Sequence, residues 1–406
     1  MSKKIKKVSR CLLCKNNRLQ ATFNLGKLYV SNFVNKKNIH KGIKSPLNLL
    51  YCKNCTLIQL SHIAPQEIMY RRFYWYKSGV TKTMRDGLRD LFLDCYKKAK
   101  LKKGDVVLDI GANDGTLLKY FKQKKLTTIG CEPARNLKNE LNKNCKYLIS
   151  DFWSKKTLFK LLNHKKIKKP KLITAIGMFY DLEEPNKFIK DAADSLADNG
   201  VFVAQLMILK SMIEKNDLGN ICHEHIQFYS FQSLKYLFEN NGLEIFKISE
   251  NDINGGSFRF YCRKFTKGSI KLPGENVLSM MKNFVSRVKK NKLETLTFIK
   301  TQIKLGKKIF LYGASTKGNT VLQYYGLNKK IIPYAAERSP FKWGKYTIGS
   351  GIKIISEKEA KKQRPDFFFV TPWGFIKEFI KREKKWLNSG GKFILPFPKM
   401  KIIKKK

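Results

Sequence analysis

The chain has 406 residues, of which 43% are apolar, so it can bury about two or three cores and is not a disordered protein. No run approaches the roughly 18 apolar residues of a membrane-spanning helix, and the N-terminal segment lacks the apolar stretch of a secretory signal, which predicts a cytoplasmic protein with no membrane span. The net charge of +51 would suit a polyanionic partner, but the lysines are spread along the chain and arginine is scarce. We therefore interpret the charge as solvated lysine faces and expect no nucleic-acid partner.

Residues 1–75 contain short strand-like pieces around two CxxC pairs, which predict a small zinc-binding module. Four thiolates aimed at one point suit tetrahedral zinc, and four protein ligands leave no open position, so the metal is expected to be structural. A redox dithiol is the alternative, although such a CxxC comes singly beside a βαβ unit. The five remaining cysteines lie mostly in apolar stretches and are interpreted as buried small hydrophobic residues. The predicted metal ligands are Cys11, Cys14, Cys52 and Cys55.

Strand-like and helix-like segments alternate over residues 76–270. Helical periodicity opens the region in "SGVTKTMRDGLRDLFLDCYKKAK", and "DVVLDIG" is the first of five strands that alternate with helices. Two further strands, "LEIFKISEN" and "SFRFYCRK", are joined by the turn "DINGG". Alternating βα units predict a parallel sheet with helices on both faces, and a closing hairpin is the ending expected of a class I methyltransferase domain.

Residues 271–406 begin with one long helical stretch, interpreted as a domain connector, and continue as a second α/β series. That series starts at "KKIFLYGASTKGNT" and ends at "GGKFILPFP", which predicts a smaller Rossmann-like domain. The predicted fold class is therefore α/β, with an N-terminal zinc-binding module, a central class I methyltransferase domain and a C-terminal Rossmann-like domain.

The segment "VVLDIGANDGT" predicts an S-adenosylmethionine loop. A strand ends at an acid, glycines form a tight turn into a helix, and a second acid follows at the end of the next strand, where it can hold ribose hydroxyls. "SDFW" follows the third strand, where an adenine ring would lie; a generic nucleotide fold with another cofactor is the alternative. The predicted cofactor contacts are Asp109, Gly111, Asn113, Gly115, Glu132, Asp151 and Phe152.

The stretch "ICHEHIQFYS" contains two of the five histidines of the chain. The spacing of a zinc-protease HExxH motif is absent, so a catalytic metal is not expected here. The stretch follows the fifth strand and precedes a helix predicted to be capped by Ser230, which places it at the ligand-binding edge of a doubly wound sheet. Extended backbone would point His223 and His225 the same way. A catalytic base and a polar turn remain the two interpretations.

Taken together, these segments resemble the sugar C-methyltransferase family, which includes the 3-C-methyltransferases of deoxysugar biosynthesis. The resemblance runs along essentially the whole chain and includes "CKNCTLIQL", "YWYKSG", "LDIGANDGT", "HEHIQFYS", "NGGSFRFY", "YGASTKGNT" and "ERSPFKWGKYTIG". It implies an enzyme that uses S-adenosylmethionine to methylate a carbon of a nucleotide-linked 4-keto sugar, for a surface polysaccharide or a secondary metabolite.

The resemblance also implies roles for individual residues. His225 is the expected base that removes a proton next to the ketone, Glu224 is its neighbour, and Tyr76 matches an active-site tyrosine. Lys317 and Asn319 are the expected contacts of the nucleotide sugar in "GASTKGNT", and His223 is assigned to substrate binding. The chain departs from the family pattern at Cys222, where a tyrosine is usual, and at "GMFYDLEEP". An O- or N-methyltransferase, an RNA methyltransferase and a non-catalytic nucleotide-sugar binding protein are the alternatives.

Overall fold

The computed structural model describes residues 4–71 and 73–405. Its N-terminal part is antiparallel β structure: β2 and β4 form a long hairpin, β5 adds to the other edge of β4, and β1 pairs with β6. The long hairpin spans the gap between the two CxxC pairs. The strands are β1 (Lys6–Lys7), β2 (Leu19–Tyr29), β3 (Phe33–Val34), β4 (Lys44–Cys52), β5 (Ile58–Leu60) and β6 (His62–Ile63).

The central part is a seven-stranded sheet in the order β13-β14-β11-β10-β7-β8-β9, with β14 antiparallel to its neighbours. Helices pack on both faces, so strands such as β7 and β11 are buried on both sides. Its elements are α1 (Lys82–Lys98), β7 (Val106–Ile110), α2 (Thr116–Gln123), β8 (Thr127–Cys131), α3 (Lys138–Asn144), β9 (Tyr147–Ile149), α4 (Lys155–Lys165), β10 (Leu172–Ile176), α5 (Pro185–Ser195), β11 (Val201–Leu206), α6 (Leu209–Glu214), β12 (Gln227–Phe228), α7 (Phe231–Glu239), β13 (Leu243–Asn251) and β14 (Ser257–Lys264).

The C-terminal part is a second α/β sheet in the order β21-β20-β19-β15-β16-β18-β17-β3. Five neighbouring strands, from β20 to β18, are parallel, which confirms the predicted Rossmann-like arrangement. Its elements are α8 (Val277–Lys304), β15 (Ile309–Tyr312), α9 (Thr316–Tyr325), β16 (Tyr334–Glu337), β17 (Tyr346–Thr347), β18 (Lys353–Ser356), α10 (Glu357–Lys362), β19 (Phe367–Val370), α11 (Ile376–Arg382), α12 (Lys384–Asn388), β20 (Lys392–Leu395) and β21 (Lys401–Ile403).

Two short strands cross between these parts. β12, from the central region, pairs with β5 of the N-terminal sheet, with Gln227 opposite Gln59. β3, from the N-terminal region, pairs with β17 of the C-terminal sheet, with Phe33 opposite Thr347. The segment around the two histidines is thereby held between all three parts of the molecule.

Three sequence interpretations need correction. The long helix α8 is more than a connector, because Phe284, Val288 and Ile299 are fully buried in the core that it shares with the C-terminal sheet. The short helix α6 was not predicted. The backbone at 221–226 is not an extended strand, so His223 and His225 do not point the same way. Over the described ranges, no helix is long and apolar enough to cross a membrane.

Candidate active site

The four predicted zinc ligands converge. Their sulfur atoms all lie within 4.8 Å of one another, with 3.5 Å between Cys11 and Cys55 and between Cys14 and Cys52. Tetrahedral zinc–thiolate bonds of about 2.3 Å place sulfurs about 3.8 Å apart, so one zinc ion fits this cluster. Both CxxC turns close with the same hydrogen bond, from the amide four residues on to the carbonyl of the first cysteine, at 3.0 Å. The cluster therefore has the form of a structural zinc site.

The predicted cofactor loop connects β7 to α2 and needs glycine at two positions. Gly111 and Gly115 have φ of 74° and 76°, and a Cβ atom at either would lie 2.7 Å from a side-chain carbon, of Met178 and Asn144 respectively. The side chain of Asn113 accepts hydrogen bonds from the backbone amides of Ser78 and Asp114 and donates to the carbonyl of Tyr76. The loop is thus fixed to residues 76–78, which lie across it.

Two acids flank this loop, as predicted. Glu132, directly after β8, accepts hydrogen bonds from the amides of Asn113 and Ala134, both at 2.9 Å, and borders a cavity of about 340 Å³. Each carboxylate oxygen keeps a second lone pair for a ribose hydroxyl. Asp109 is buried and accepts a hydrogen bond from Thr174 at 2.6 Å. Desolvation raises the pKa of Asp109 to about 7, although the Thr174 hydrogen bond opposes the shift.

The residues after β9 are placed differently from one another. Phe152 and Trp153 border the cavity beside Glu132, as expected for an adenine site. Asp151 does not line that cavity; it forms an ion pair with Arg71, whose guanidinium lies 5.2 Å from the ring centre of Phe152. The Asp151 carboxylate contacts Arg71 in this structure, and its predicted contact with the adenine amino group stays a prediction.

His225 lies in the wall of a second cavity, of about 230 Å³. Its Nδ1 is 2.8 Å from the carbonyl oxygen of Asn220. Because a carbonyl only accepts, Nδ1 carries the proton and Nε2 presents a free lone pair. Burial lowers the pKa of His225 well below its usual value, and the nearby cation of Lys317 adds to the effect. His225 is thus neutral and able to accept a proton across the physiological range.

Glu224 and Lys317 border the same cavity. Lys317 lies in the first turn of α9, and Glu224 contacts Thr316, the first residue of that helix. The hydroxyl of Thr316 donates to Oε2 of Glu224 at 2.9 Å, and the ammonium group of Lys317 donates to the side-chain oxygen of Asn220 at 3.0 Å. Asn220 therefore contacts Lys317 with its side chain and His225 with its carbonyl. The first turn of α9 therefore orients Glu224 directly and His225 through Asn220.

Two predicted substrate contacts lie away from the cavities. His223 is 1% exposed, its Nε2 is 3.0 Å from the carbonyl oxygen of Ser45 in β4, and it lines neither cavity. Asn319 is fully buried and accepts a hydrogen bond from Ser350. Each side chain packs within the protein in this structure, and both substrate contacts stay predictions.

The two cavities meet at a shared wall. Tyr76, which is 41% exposed, borders both of them. Asp181, in the turn after β10, is the one carboxyl group among the described residues that borders both cavities. Sequence reasoning did not single out Asp181, although it marked "GMFYDLEEP" as unusual. The remaining residues of the shared wall are Tyr74, Ser78, Gly111, Asn113, Ile176 and Gly177.

Three family models match consecutive parts of the chain. They are described as "Putative zinc binding domain" over residues 11–70, "Methyltransferase domain" over 76–248 and "C-methyltransferase C-terminal domain" over 252–398. The chain is thus similar, in this order of domains, to a C-methyltransferase with an N-terminal zinc-binding domain. It is an S-adenosylmethionine-dependent enzyme of the class I methyltransferase fold with an N-terminal zinc-binding domain.

A curated relative has the same extent. C-methyltransferase NovU of Streptomyces niveus is 25% identical over 370 residues, which cover 88% of this chain and 87% of the relative. Among solved structures, magnesium protoporphyrin IX methyltransferase of Synechocystis PCC 6803 with bound SAM is 11% identical, with a TM-score of 0.35 over 47% of this chain and 88% of that one. A methyltransferase of Clostridium acetobutylicum is 13% identical, with a TM-score of 0.32 over 44% and 92%. With TM-scores this low, the assignment rests on the sequence matches.

The residues of this C-methyltransferase suit its cofactor. Glu132 would hold the ribose, Phe152 would cover the adenine, and Gly111 lets the backbone approach the ligand closely. When bound, S-adenosylmethionine supplies an electrophilic methyl group. The shared wall of the two cavities is where a methyl donor and an acceptor would face each other.

Proposed function

We propose that this C-methyltransferase methylates the carbon next to the ketone of a nucleotide-linked keto-deoxysugar. The observation that carries the proposal is the tautomer of His225, whose Nδ1–H is held by the carbonyl of Asn220 while Nε2 remains unprotonated. A C–H bond next to a ketone is acidic enough for a positioned imidazole to attack, whereas methylation of a hydroxyl or an amine needs no enolate.

The proton transfer can be written in full. Nε2 of His225 takes the proton, the electron pair of the C–H bond becomes the π bond of the enolate, and the carbonyl pair moves onto oxygen. The enolate carbon would then take the methyl group of S-adenosylmethionine as the methyl–sulfur bond breaks, which would leave the neutral thioether S-adenosylhomocysteine. The ketone re-forms, and His225 returns its proton to solvent. A neutral, buried His225 suits the first step, and Lys317 in the same cavity favours the negative charge that develops.

A third cavity supports a nucleotide attached to the sugar. It has a volume of about 340 Å³, reaches Glu224 from the outer side, and is bordered by Phe73, Trp75 and Lys41. The rings of Phe73 and Trp75 are 4.4 Å apart, and the ammonium group of Lys345 lies 5.9 Å from the Trp75 ring. Aromatic faces beside lysines suit a nucleobase and a diphosphate.

Nucleotide 4-keto sugars carrying deuterium at the α carbon test the proposal. Incubation with S-adenosylmethionine should give a product that is heavier by one methyl group and has lost that deuterium. His225→Asn should lower this turnover by about 10²–10⁴-fold, while His164→Asn, at an exposed position, should not. Retention of the deuterium in a methylated product would indicate transfer to oxygen or nitrogen and would overturn the proposal.

A further inference from the structure

Asp181 occupies an unusual position for a carboxyl group. It is 8% exposed, and its Oδ1 is buried without a hydrogen-bond partner. An ionised carboxylate would leave this buried oxygen charged and without a donor, which is unfavourable. The hydroxyl of neighbouring Tyr70 donates to the carbonyl of Glu224 at 2.8 Å.

The charges around Asp181 favour the same protonation state. Glu224 faces the same cavity, and two carboxylates at one site cannot both ionise readily. Glu224 is the better place for the negative charge, because it accepts from Thr316 whereas Asp181 Oδ1 has no donor. Desolvation raises the pKa of Asp181 well above its usual value; Glu224 raises it further, whereas Lys317 and a hydrogen bond from Tyr70 oppose the shift. Five further groups that interact with Asp181 are neutral in the resting enzyme, because burial raises their pKa values: Tyr70, Tyr74, Tyr180, Tyr229 and Cys222. Among the described residues, the other acidic, lysine and histidine side chains that border the two cavities are Asp109, Glu132, Glu183, Glu184, Lys187, Asp191, Asp217 and His225.

We propose that Asp181 is a catalytic residue that acts as a protonated carboxylic acid and donates a hydrogen bond to the ketone oxygen as the enolate forms. This inference rests on the proposed function. It follows from position, since Asp181 is the carboxyl group of the described residues that borders both cavities, where methyl donor and acceptor meet. A neutral acid in this place stabilises developing negative charge on oxygen, whereas a carboxylate would repel it.

The proton of Asp181 stays on its own oxygen in this role. The abstracted proton goes to Nε2 of His225, and the enolate oxygen receives only a hydrogen bond. The acid therefore starts and ends each cycle protonated. An asparagine at this position keeps an N–H donor without the ability to ionise.

The first test follows exchange of the α hydrogen with deuterated solvent, in the presence of a nucleotide 4-keto sugar and S-adenosylhomocysteine. Asp181→Ala should slow the exchange by about 100-fold or more, and Asp181→Asn should restore it to within about tenfold of the wild type. The wild-type rate should fall at high pH, as Asp181 ionises, and this fall should be absent in Asp181→Asn. Exchange at the wild-type rate in Asp181→Ala would overturn the proposal, as would complete loss in Asp181→Asn, which would make Asp181 a base.

The second test needs no substrate. Infrared difference spectra of the full chain at neutral pH should contain a carboxylic-acid C=O band that disappears in Asp181→Asn and persists in Asp198→Asn, where the side chain is fully exposed. Absence of that band overturns the inference even if the enzyme turns over. A band assigned to Asp181, together with no exchange by the wild type on any keto-sugar nucleotide, supports the protonated acid and overturns the proposed substrate. Thermal unfolding of each variant checks that it is folded.

Discussion

The hydroxyl of Thr316 donates to Oε2 of Glu224 at 2.9 Å, and this contact joins helix α9 of the C-terminal part to the stretch His223–His225. Thr316→Val keeps the shape of the side chain and removes the donor. Because a hydrogen bond to a charged group contributes about 1.5–3 kcal/mol, we expect turnover to fall by about 10–100-fold. Thr320→Val is a matched control on the same helix, since the Thr320 hydroxyl is buried without a partner. Equal activities of the two variants would show that this contact does not contribute to turnover.

The cation of Lys317 affects the pKa of His225. Burial lowers the pKa of His225, and the Lys317 cation lowers it further, so the imidazole stays neutral well below its usual pKa of about 6.5. The wild-type rate of α-hydrogen exchange should therefore stay level as pH falls through that value. In Lys317→Met the pKa of His225 rises, and the acidic fall in rate should begin at a higher pH. Lys330→Met, at an exposed position, should leave the profile unchanged; an acidic limb that does not move in Lys317→Met would contradict this role.

Glu132 links the cofactor loop to the ribose position. Glu132→Ala removes the acceptor of two backbone amides and of the ribose hydroxyls, so we expect the Kd for S-adenosylmethionine to rise by about 10–100-fold. Isothermal titration calorimetry measures this change directly. Glu250→Ala, at an exposed position of β13, should leave the Kd as it is. An unchanged Kd in Glu132→Ala would show that the ribose does not bind at Glu132.

The four-cysteine cluster predicts one zinc ion per chain. Cys55→Ser removes one ligand, so the purified variant should contain far less zinc and should unfold at a lower temperature, because metal binding and folding are coupled. Cys145→Ser changes a buried thiol outside the cluster and should retain its zinc. Elemental analysis and thermal unfolding check both points, and full zinc content in Cys55→Ser would contradict the four-thiolate site.

Glu244 gives the central hairpin an acid-dependent stability. Desolvation alone would raise its pKa, but hydrogen bonds from the amides of 266–268 and from Arg263 outweigh that effect and lower it to about 2. A depressed pKa stabilises the fold above the unfolded value of about 4.3, and this stabilisation is lost as pH falls towards 2. Glu244→Gln should therefore be less stable than the wild type at pH 7, with a difference that shrinks in acid. Chemical denaturation at several pH values measures it; Glu250→Gln, also on β13, should show no such trend.

Much of the fold could be predicted from the sequence because its signals are local. The two closing strands at Leu243–Asn251 and Ser257–Lys264 match their predicted segments, and Ser230 caps α7 by accepting from the amide of Ser233. Alternation of apolar segments and the CxxC spacing depend only on neighbouring residues. The two crossing strands were missed because each has two residues and pairs with a distant part of the chain.

The site was less predictable, because it depends on burial and long-range contact. His223 and His225 are two residues apart in sequence, yet one contacts Ser45 in β4 and the other contacts Asn220 beside the cavity. Only the tertiary structure separates these roles. Asp181 carried no motif, and its significance comes from an unpartnered oxygen beside two cavities. The contact of Asp151 with Arg71 could not be predicted, because Arg71 lies 80 residues earlier in the chain.

The strand crossing between β3 and β17 has a consequence for synthesis on the ribosome. Val34 leaves the ribosome more than 300 residues before its partner Tyr346. At about 5–20 residues per second, the nascent N-terminal segment waits for roughly 15–60 seconds before that edge can pair. During this interval the zinc cluster, whose ligands are complete by residue 55, can hold the N-terminal strand pairs together before the strand crossing forms. Zinc supply during translation should therefore govern the yield of native enzyme more strongly than zinc supply afterwards.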